Sequence, residues 1–254
     1  MTFSYKVVIP ARYASTRLPG KLLLEIAGKP LLQHVFESAS ASRAGQVVIA
    51  TDDERIRTAA EAFGADVIMT SHEHKSGTDR IAEAVSVMKE KDESVIVNVQ
   101  GDEFGLPPAI IDQLAEELHQ NPDKPMATLC ERITGREQLS NPNVVKVVVD
   151  MDQSAIYFSR SVIPWCERIQ DMAIADLPMQ PLRHIGIYAY RAGFLKTYTS
   201  LPHCPLEDSE KLEQLRALYH GYKIHVEEAC MDTGLEVNTM EDLERARNKA
   251  GTGS

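Results

Sequence analysis

The sequence predicts an α/β fold: a mostly parallel, twisted sheet flanked by helices, continued by a strand-rich region. Two observations carry this reading. Short runs rich in Val and Ile at residues 6–10, 46–50, 67–69 and 94–99 read as buried strands. They alternate with residues 31–42, 53–63 and 78–89, where apolar side chains recur at helical spacing, and with residues 107–119, which open on a Pro suited to a helix start. This βαβα order puts helices on both faces of a parallel sheet.

After Asp123 the rhythm changes. Residues 144–150, 155–159 and 184–190 read as successive strands, with a polar, irregular stretch at 166–181 between the last two. An antiparallel extension or dimerisation element is expected there. Residues 206–219 read as one helix with Leu212, Leu215 and Tyr219 on a shared face, and residues 239–249 as a terminal helix. No repeat, heptad array or low-complexity linker divides residues 1–250, which are expected to form a single domain, and residues 251–254 read as a disordered tail.

Composition excludes several functions. A chain of 254 residues buries a substantial core without staples. Its net charge of -10 argues against nonspecific nucleic-acid binding, while leaving room for a local basic site that holds one nucleotide. Cys130, Cys166, Cys204 and Cys230 form neither a CxxC pair nor a zinc spacing, and read as reduced packing residues. The first ten residues lack a basic leader, and no later run approaches the roughly 18 apolar residues of a membrane span. A cytoplasmic protein without a nucleic-acid or membrane partner is expected.

The first chemical signal is the loop after the first strand, residues 11–21, which holds Arg12, Arg17, Lys21, the hydroxyls of Ser15 and Thr16, and Gly20. That is a phosphate-binding composition. In open α/β sheets, ligands bind beyond the carboxyl ends of strands, where backbone N–H groups and helix N-termini favour anions. No GxxxxGK[ST] occurs, since Leu22 follows Gly20-Lys21, and no GxGxxG follows a strand, so the ATPase and dinucleotide readings lose their support. Solvated loop charges are the bland alternative, and the place of the loop in the fold weighs against it.

A second signal is Gln100-Gly101-Asp102-Glu103, which follows the strongest buried-strand candidate. A carboxylate there can hold Mg²⁺, and a simple turn is the alternative. Ser76-Gly77-Thr78 precedes a helical run, so either hydroxyl can also serve as an N-cap.

Ile9-Pro10-Ala11-Arg12 through Arg17-Leu18-Pro19-Gly20-Lys21 resembles the signature of the CMP-3-deoxy-manno-octulosonate (CMP-Kdo) synthetases, within the wider Rossmann-like nucleotidyltransferase fold. The likeness continues through Ser76-Gly77-Thr78-Asp79-Arg80, Asn98-Val99-Gln100-Gly101-Asp102-Glu103 and Asn141-Pro142-Asn143-Val144-Val145-Lys146. Tyr157-Phe158-Ser159-Arg160, Arg183-His184-Ile185-Gly186-Ile187-Tyr188 and Leu212-Glu213-Gln214 extend it over nearly the whole chain.

The resemblance implies an Mg²⁺-dependent cytidylyltransferase that joins CMP from CTP to an acidic eight-carbon sugar, feeding lipopolysaccharide assembly as a homodimer. It implies a nucleotide-binding part over residues 1–123 and a sugar-binding and dimerisation part over residues 124–250. Lys21, Asp102 and Arg12 would be catalytic. Ala11, Arg12, Lys21, Ser76, Gly77, Thr78, Arg80 and Gln100 would bind the nucleotide. Arg17, Gln100, Arg160, His184, Tyr188, Glu213 and Gln214 would bind the sugar, and Asp102 and Asn238 the metal.

His184 and Tyr188 are evenly spaced, so on a strand they project to one face. Glu213 and Gln214 are expected on the polar side of their helix. Three departures from the family pattern stand out. Phe104-Gly105-Leu106 replaces Pro-Leu-Ile, Leu22 replaces a Pro, and Asn238 stands where the family has a metal-binding Asp. Asn238 is also a possible helix cap, with Asp232 and Glu236 as substitute metal ligands. Transfer to another acid sugar, such as amino-substituted Kdo or sialic acid, and a catalytically silent nucleotide-binding homologue are the alternatives.

Overall fold

The computed structural model describes residues 3–15, 17–74, 76–167 and 172–251. Thr16 and residues 252–254 of the expected tail lie outside them.

The chain begins with β1 (Tyr5–Ala11), then a 3-10 turn at Lys21–Leu23 and a small ribbon of β2 (Glu25–Ile26) and β3 (Lys29–Pro30). Next come α1 (Leu31–Ser40), β4 (Gln46–Thr51), α2 (Glu54–Ala62), β5 (Asp66–Met69), α3 (Gly77–Val87) and β6 (Val95–Asn98). Asp53 caps α2 and Ser76 caps α3, each side chain accepting a backbone N–H of the first turn. Strands β5, β4, β1 and β6 lie side by side and parallel. Along β1, Val7 and Ile9 enter one core with α1 and α2, while Val8 enters the other with α3. This alternation places helices on both faces, as the periodicity predicts.

The second half turns the sheet antiparallel. After β7 (Glu103–Phe104) and α4 (Pro108–Gln120) come β8 (Met126–Arg132), α5 (Arg136–Ser140), β9 (Lys146–Val149), β10 (Ala155–Ser159) and β11 (Leu182–Arg191). Then follow α6 (Ala192–Ser200), α7 (Pro205–Glu210), α8 (Gln214–Tyr219), β12 (Ile224–Glu228), β13 (Leu235–Glu236) and α9 (Met240–Gly251). β11 runs antiparallel beside β6, with Tyr188 opposite Asn98, and its other edge pairs with β8, which carries β12 in parallel. The β9–β10 hairpin joins the start of β11. An antiparallel β11 brings His184 just beyond the carboxyl end of β6, the edge from which the loops after β1 and β6 also leave.

Two expectations are corrected. The single helix over 206–219 is broken: Lys211 takes a left-handed conformation at φ 54°, which ends α7, and Glu213 becomes the residue that opens α8. Leu212 and Leu215 are buried as expected, but Tyr219 is exposed. The break also puts Gln214 inside, at 5 % exposure, because the chain re-enters the core there. Strands β8 and β12 were not expected, since Met126–Arg132 and Ile224–Glu228 carry Thr, Cys, His and Glu in place of a continuous Val/Ile run. Within the Phe104-Gly105-Leu106 departure from the family pattern, Gly105 sits at φ 74°, a left-handed conformation that is strained for residues with a Cβ.

Candidate active site

The carboxyl edge of the sheet opens into a cleft of about 990 Å³. One wall comes from the loop after β1, the start of α3 and the segment after β13, the other from β11 and the break between α7 and α8. Of the residues singled out in the sequence, Ala11, Arg12, Arg17, Ser76, Gly77, Thr78, Arg80, Gln100, Arg160, His184, Tyr188, Glu213, Gln214 and Asn238 all line it. Lys21 and Asp102 stand just behind the wall, joined to it through Asn238.

Lys21 opens the 3-10 turn after Gly20, whose φ of 68° turns the chain where an added Cβ would press on the Tyr13 ring at 3.1 Å. The Lys21 ammonium pairs with the Asp102 carboxylate and donates to Val237 O at 3.1 Å and Asn238 Oδ1 at 3.2 Å. Arg17 Nη2 donates to the same Asn238 Oδ1 at 2.7 Å. Three oxygens of different origin thus converge on one cation.

A carboxylate, an amide oxygen and a backbone carbonyl are the hard donors that Mg²⁺ accepts, and the ammonium marks a place where positive charge is stabilised. The donor set therefore fits the ion once Lys21 moves aside. The helix-cap reading of Asn238 is corrected: Thr239 and Asp242 form the reciprocal cap of α9, with Thr239 N donating to Asp242 Oδ2 at 2.9 Å and Asp242 N to Thr239 Oγ1 at 3.2 Å. The side chain of Asn238 is turned to the cations instead. Asp232 accepts from Gly234 N in an exposed turn, and Glu236 pairs with Glu103 across the β7–β13 ribbon.

At the start of α3, Ser76 Oγ accepts Asp79 N at 3.1 Å, so that hydroxyl is committed as a cap. Thr78 is buried and donates to Glu213 Oε2 at 3.2 Å, tying the two walls together. Arg80 is buried on an ion pair with Asp52 at 3.1 Å and a hydrogen bond to Thr70. Gln100 Nε2 donates weakly to Asn98 Oδ1 at 3.4 Å.

On the opposite wall, Arg160 is fixed by main-chain oxygens: Nε donates to Glu210 O at 2.7 Å and Nη1 to Pro142 O at 3.0 Å. The fully buried Lys146 donates to the carbonyls of Asn141, Val144 and Arg160, and so ties the strand end to the 141–145 loop. His184 and Tyr188 share a face as predicted, but they are closer than four residues of regular strand allow. A bulge inserts Gly186 and Ile187 between residues paired with Leu129 and Thr128, and brings the two rings to 5.4 Å.

The buried Gln214 Nε2 has no hydrogen-bond partner, an unmet donor at the cleft wall. Asn98, Tyr190, Tyr198 and Arg245 also line the cleft and were missed from sequence. Two of them had a readable signal, Tyr190 in its even spacing from His184 and Tyr188 and Asn98 in the motif that runs to Glu103.

Burial sets the electrostatics of this wall. His184 meets solvent only through the cleft and is otherwise packed by protein, which pushes its pKa down to about 3 and keeps the ring neutral. The Glu213 carboxylate is reachable by water yet enclosed on its other sides. That enclosure raises its pKa, against opposing contributions from Thr78 and Arg216. Burial likewise lifts Glu103 to about 8, reinforced by Glu236 and Asp102.

Comparison with known proteins agrees with this arrangement. A cytidylyltransferase family profile matches residues 6–224. The 3-deoxy-manno-octulosonate cytidylyltransferases of Idiomarina loihiensis and Nitrosococcus oceani are each 51% identical, the first covering 98% of this chain and 100% of the relative, the second 96% and 95%. A solved CMP:2-keto-3-deoxy-manno-octonic acid synthetase complexed with CTP superposes with TM-score 0.89 at 41% identity, covering 99% of this chain and 100% of that one. A 4-diphosphocytidyl-2C-methyl-D-erythritol synthase, 12% identical with TM-score 0.64 over 98% of both chains, shares the fold. The chain belongs to the 3-deoxy-manno-octulosonate cytidylyltransferase family.

Proposed function

We infer that this protein transfers the cytidylyl group of CTP to the anomeric hydroxyl of Kdo, releasing pyrophosphate and forming CMP-Kdo. The observation that carries the reading is one cleft lined both by the cationic loop of Arg12 and Arg17 and by the hydrogen-bonding side chains Arg160, His184, Tyr188, Glu213 and Gln214. Sialic acid, amino-substituted Kdo and a silent homologue are not favoured, because the relatives of about 50% identity carry the Kdo enzyme's name.

In this proposal Arg12 and Lys21 bind the triphosphate, Arg12 through its planar fork of donors and Lys21 as a point charge. Ala11, Ser76, Gly77, Thr78, Arg80 and Gln100 surround the cytosine, with Ser76 contributing through the helix it caps. Arg17 lies between the phosphates and the sugar. Arg160 takes the sugar carboxylate, while neutral His184, Tyr188 and the unmet Gln214 amide take hydroxyls, and Glu213 accepts from another. Asp102 and Asn238 would hold Mg²⁺. Bound there, the ion supplies charge neutralisation at the α-phosphate and acidifies the attacking hydroxyl. The chain's own residues align that hydroxyl in line with the departing pyrophosphate.

We further propose a homodimer, a cytoplasmic location and a role in lipopolysaccharide assembly. Trp165, at 80 % exposure, and the exposed Ile156 in the strand-rich region support a covered face in a dimer. Among the described residues no helix is long and apolar enough to cross a membrane, and the cysteines are free thiols. A monomeric mass in light scattering across micromolar concentrations would remove the dimer. The function itself is tested by incubating the protein with CTP, Mg²⁺ and a panel of acid sugars. Pyrophosphate release with Kdo is expected, and none with any Kdo-type sugar would overturn the assignment.

A further inference from the structure

Thr128 lies on β8 opposite Tyr188, fully buried, and its hydroxyl meets three groups at once. Ile187 O is 2.7 Å away, Ile185 O is 3.0 Å away, and Nε2 of His184 is 3.0 Å away. A hydroxyl has one proton and two lone pairs, whereas a carbonyl oxygen can only accept. Donation to the imidazole would leave the hydroxyl oxygen facing two carbonyl oxygens with no proton between them. The proton therefore goes to the carbonyls of the bulge, and the lone pairs face Nε2, which must carry hydrogen.

We propose that Thr128 is a positioning residue for the sugar site: it clamps the β11 bulge and holds His184 as the neutral Nε2–H tautomer, leaving Nδ1 as a hydrogen-bond acceptor. Phe158 edges against the ring at 4.9 Å and Tyr188 lies at 5.4 Å, so the imidazole is walled by aromatic rings, and among the described residues no carboxylate pairs with it. An acceptor there selects a hydroxyl group of the sugar and repels its carboxylate. The two ends of the sugar are thereby told apart, with the carboxylate left to Arg160 on the same wall. This rests on the proposed function, but the tautomer itself does not.

The test uses full-length protein labelled with ¹⁵N at its histidine rings, His184 being assigned by its loss in His184→Gln. At neutral pH the wild-type ring is expected as the Nε2–H tautomer. Thr128→Val, which keeps the shape and removes the hydroxyl, is expected to mix the tautomers and raise the sugar KM about tenfold, the worth of one good hydrogen bond, with the CTP KM within about twofold. Thr128→Ser restores both. A wild-type His184 that is charged or carries its proton on Nδ1 would overturn the proposal even if Thr128→Val does not fold. So would a folded Thr128→Val with unchanged tautomer and KM, or a Thr128→Ser that behaves like Val. A wild type that ignores Kdo would instead remove the functional reading and leave the tautomer measurement standing.

Discussion

The two walls of the cleft are built by different means. The phosphate wall is made of loops that leave the carboxyl ends of parallel strands, and its charged groups are held by one another: Lys21, Asp102, Arg17 and Asn238 form one exchangeable cluster. The sugar wall is an antiparallel strand and a broken helix whose groups are held from behind by the scaffold, Arg160 by Glu210 O and Pro142 O and His184 by the buried Thr128 hydroxyl. On the proposed function, the contrast teaches that the first wall must rearrange around an arriving triphosphate, since its cations are paired with one another's partners. The second is preorganised for its ligand.

The largest expected effect falls on the first wall. Asp102→Asn should lower turnover by on the order of 10²–10³, since it neutralises the one carboxylate of the oxygen cluster. A near-wild-type rate would place the metal elsewhere. Lys21→Ala should raise the CTP KM by roughly tenfold or more and leave the sugar KM unchanged in protein that is folded by circular dichroism, because the ammonium is a point charge at an anion site. Unchanged CTP kinetics would remove Lys21 from that site.

A smaller effect is expected at Asn238. Asn238→Asp adds a formal charge to the cluster and should lower the free Mg²⁺ needed for half-maximal pyrophosphate release, while Asp232→Asn should leave it unchanged because Asp232 is engaged in its own turn. Identical titrations for wild type and Asn238→Asp, with both folded, would show that position 238 does not govern the ion.

The smallest effect belongs to the preorganised wall. The pKa of His184 is depressed to about 3, so as pH falls below its ordinary value of about 6.5 the unfolded chain takes up a proton that the folded chain refuses. Stability is therefore lost progressively from that pH downwards. His184→Gln should lose on the order of 1 kcal/mol less than wild type between pH 7 and pH 5 in denaturant unfolding. Equal losses would mean that the ring is well solvated.

The same contrast decides what the sequence reveals. The parallel half was legible because each strand is a continuous Val/Ile run, and because Arg12, Arg17 and Lys21 follow the first of them within a single loop. β8 and β12 were not legible: their Thr128, His225 and Glu227 serve local hydrogen bonds and charge, and this hides the strand pattern. Nor was the break at Lys211, since a left-handed Lys has no sequence mark comparable to a Gly. The family motifs named His184, Tyr188, Glu213 and Gln214, but not the bulge that brings His184 and Tyr188 together. A bulge shows only in the pairing register. Asn238 reads equally as cap or ligand until the partners of Thr239 and Asp242 are seen.

The central claim, a cleft divided between a nucleotide wall and a sugar wall, is tested most directly by measuring both KM values in Lys21→Ala and Arg160→Ala, with folding checked by circular dichroism. A crossed pattern is predicted: Lys21→Ala raises the KM for CTP alone, and Arg160→Ala raises the KM for Kdo alone, each by about tenfold. If both variants raise both constants equally, or if Arg160→Ala raises only the KM for CTP, the division is contradicted.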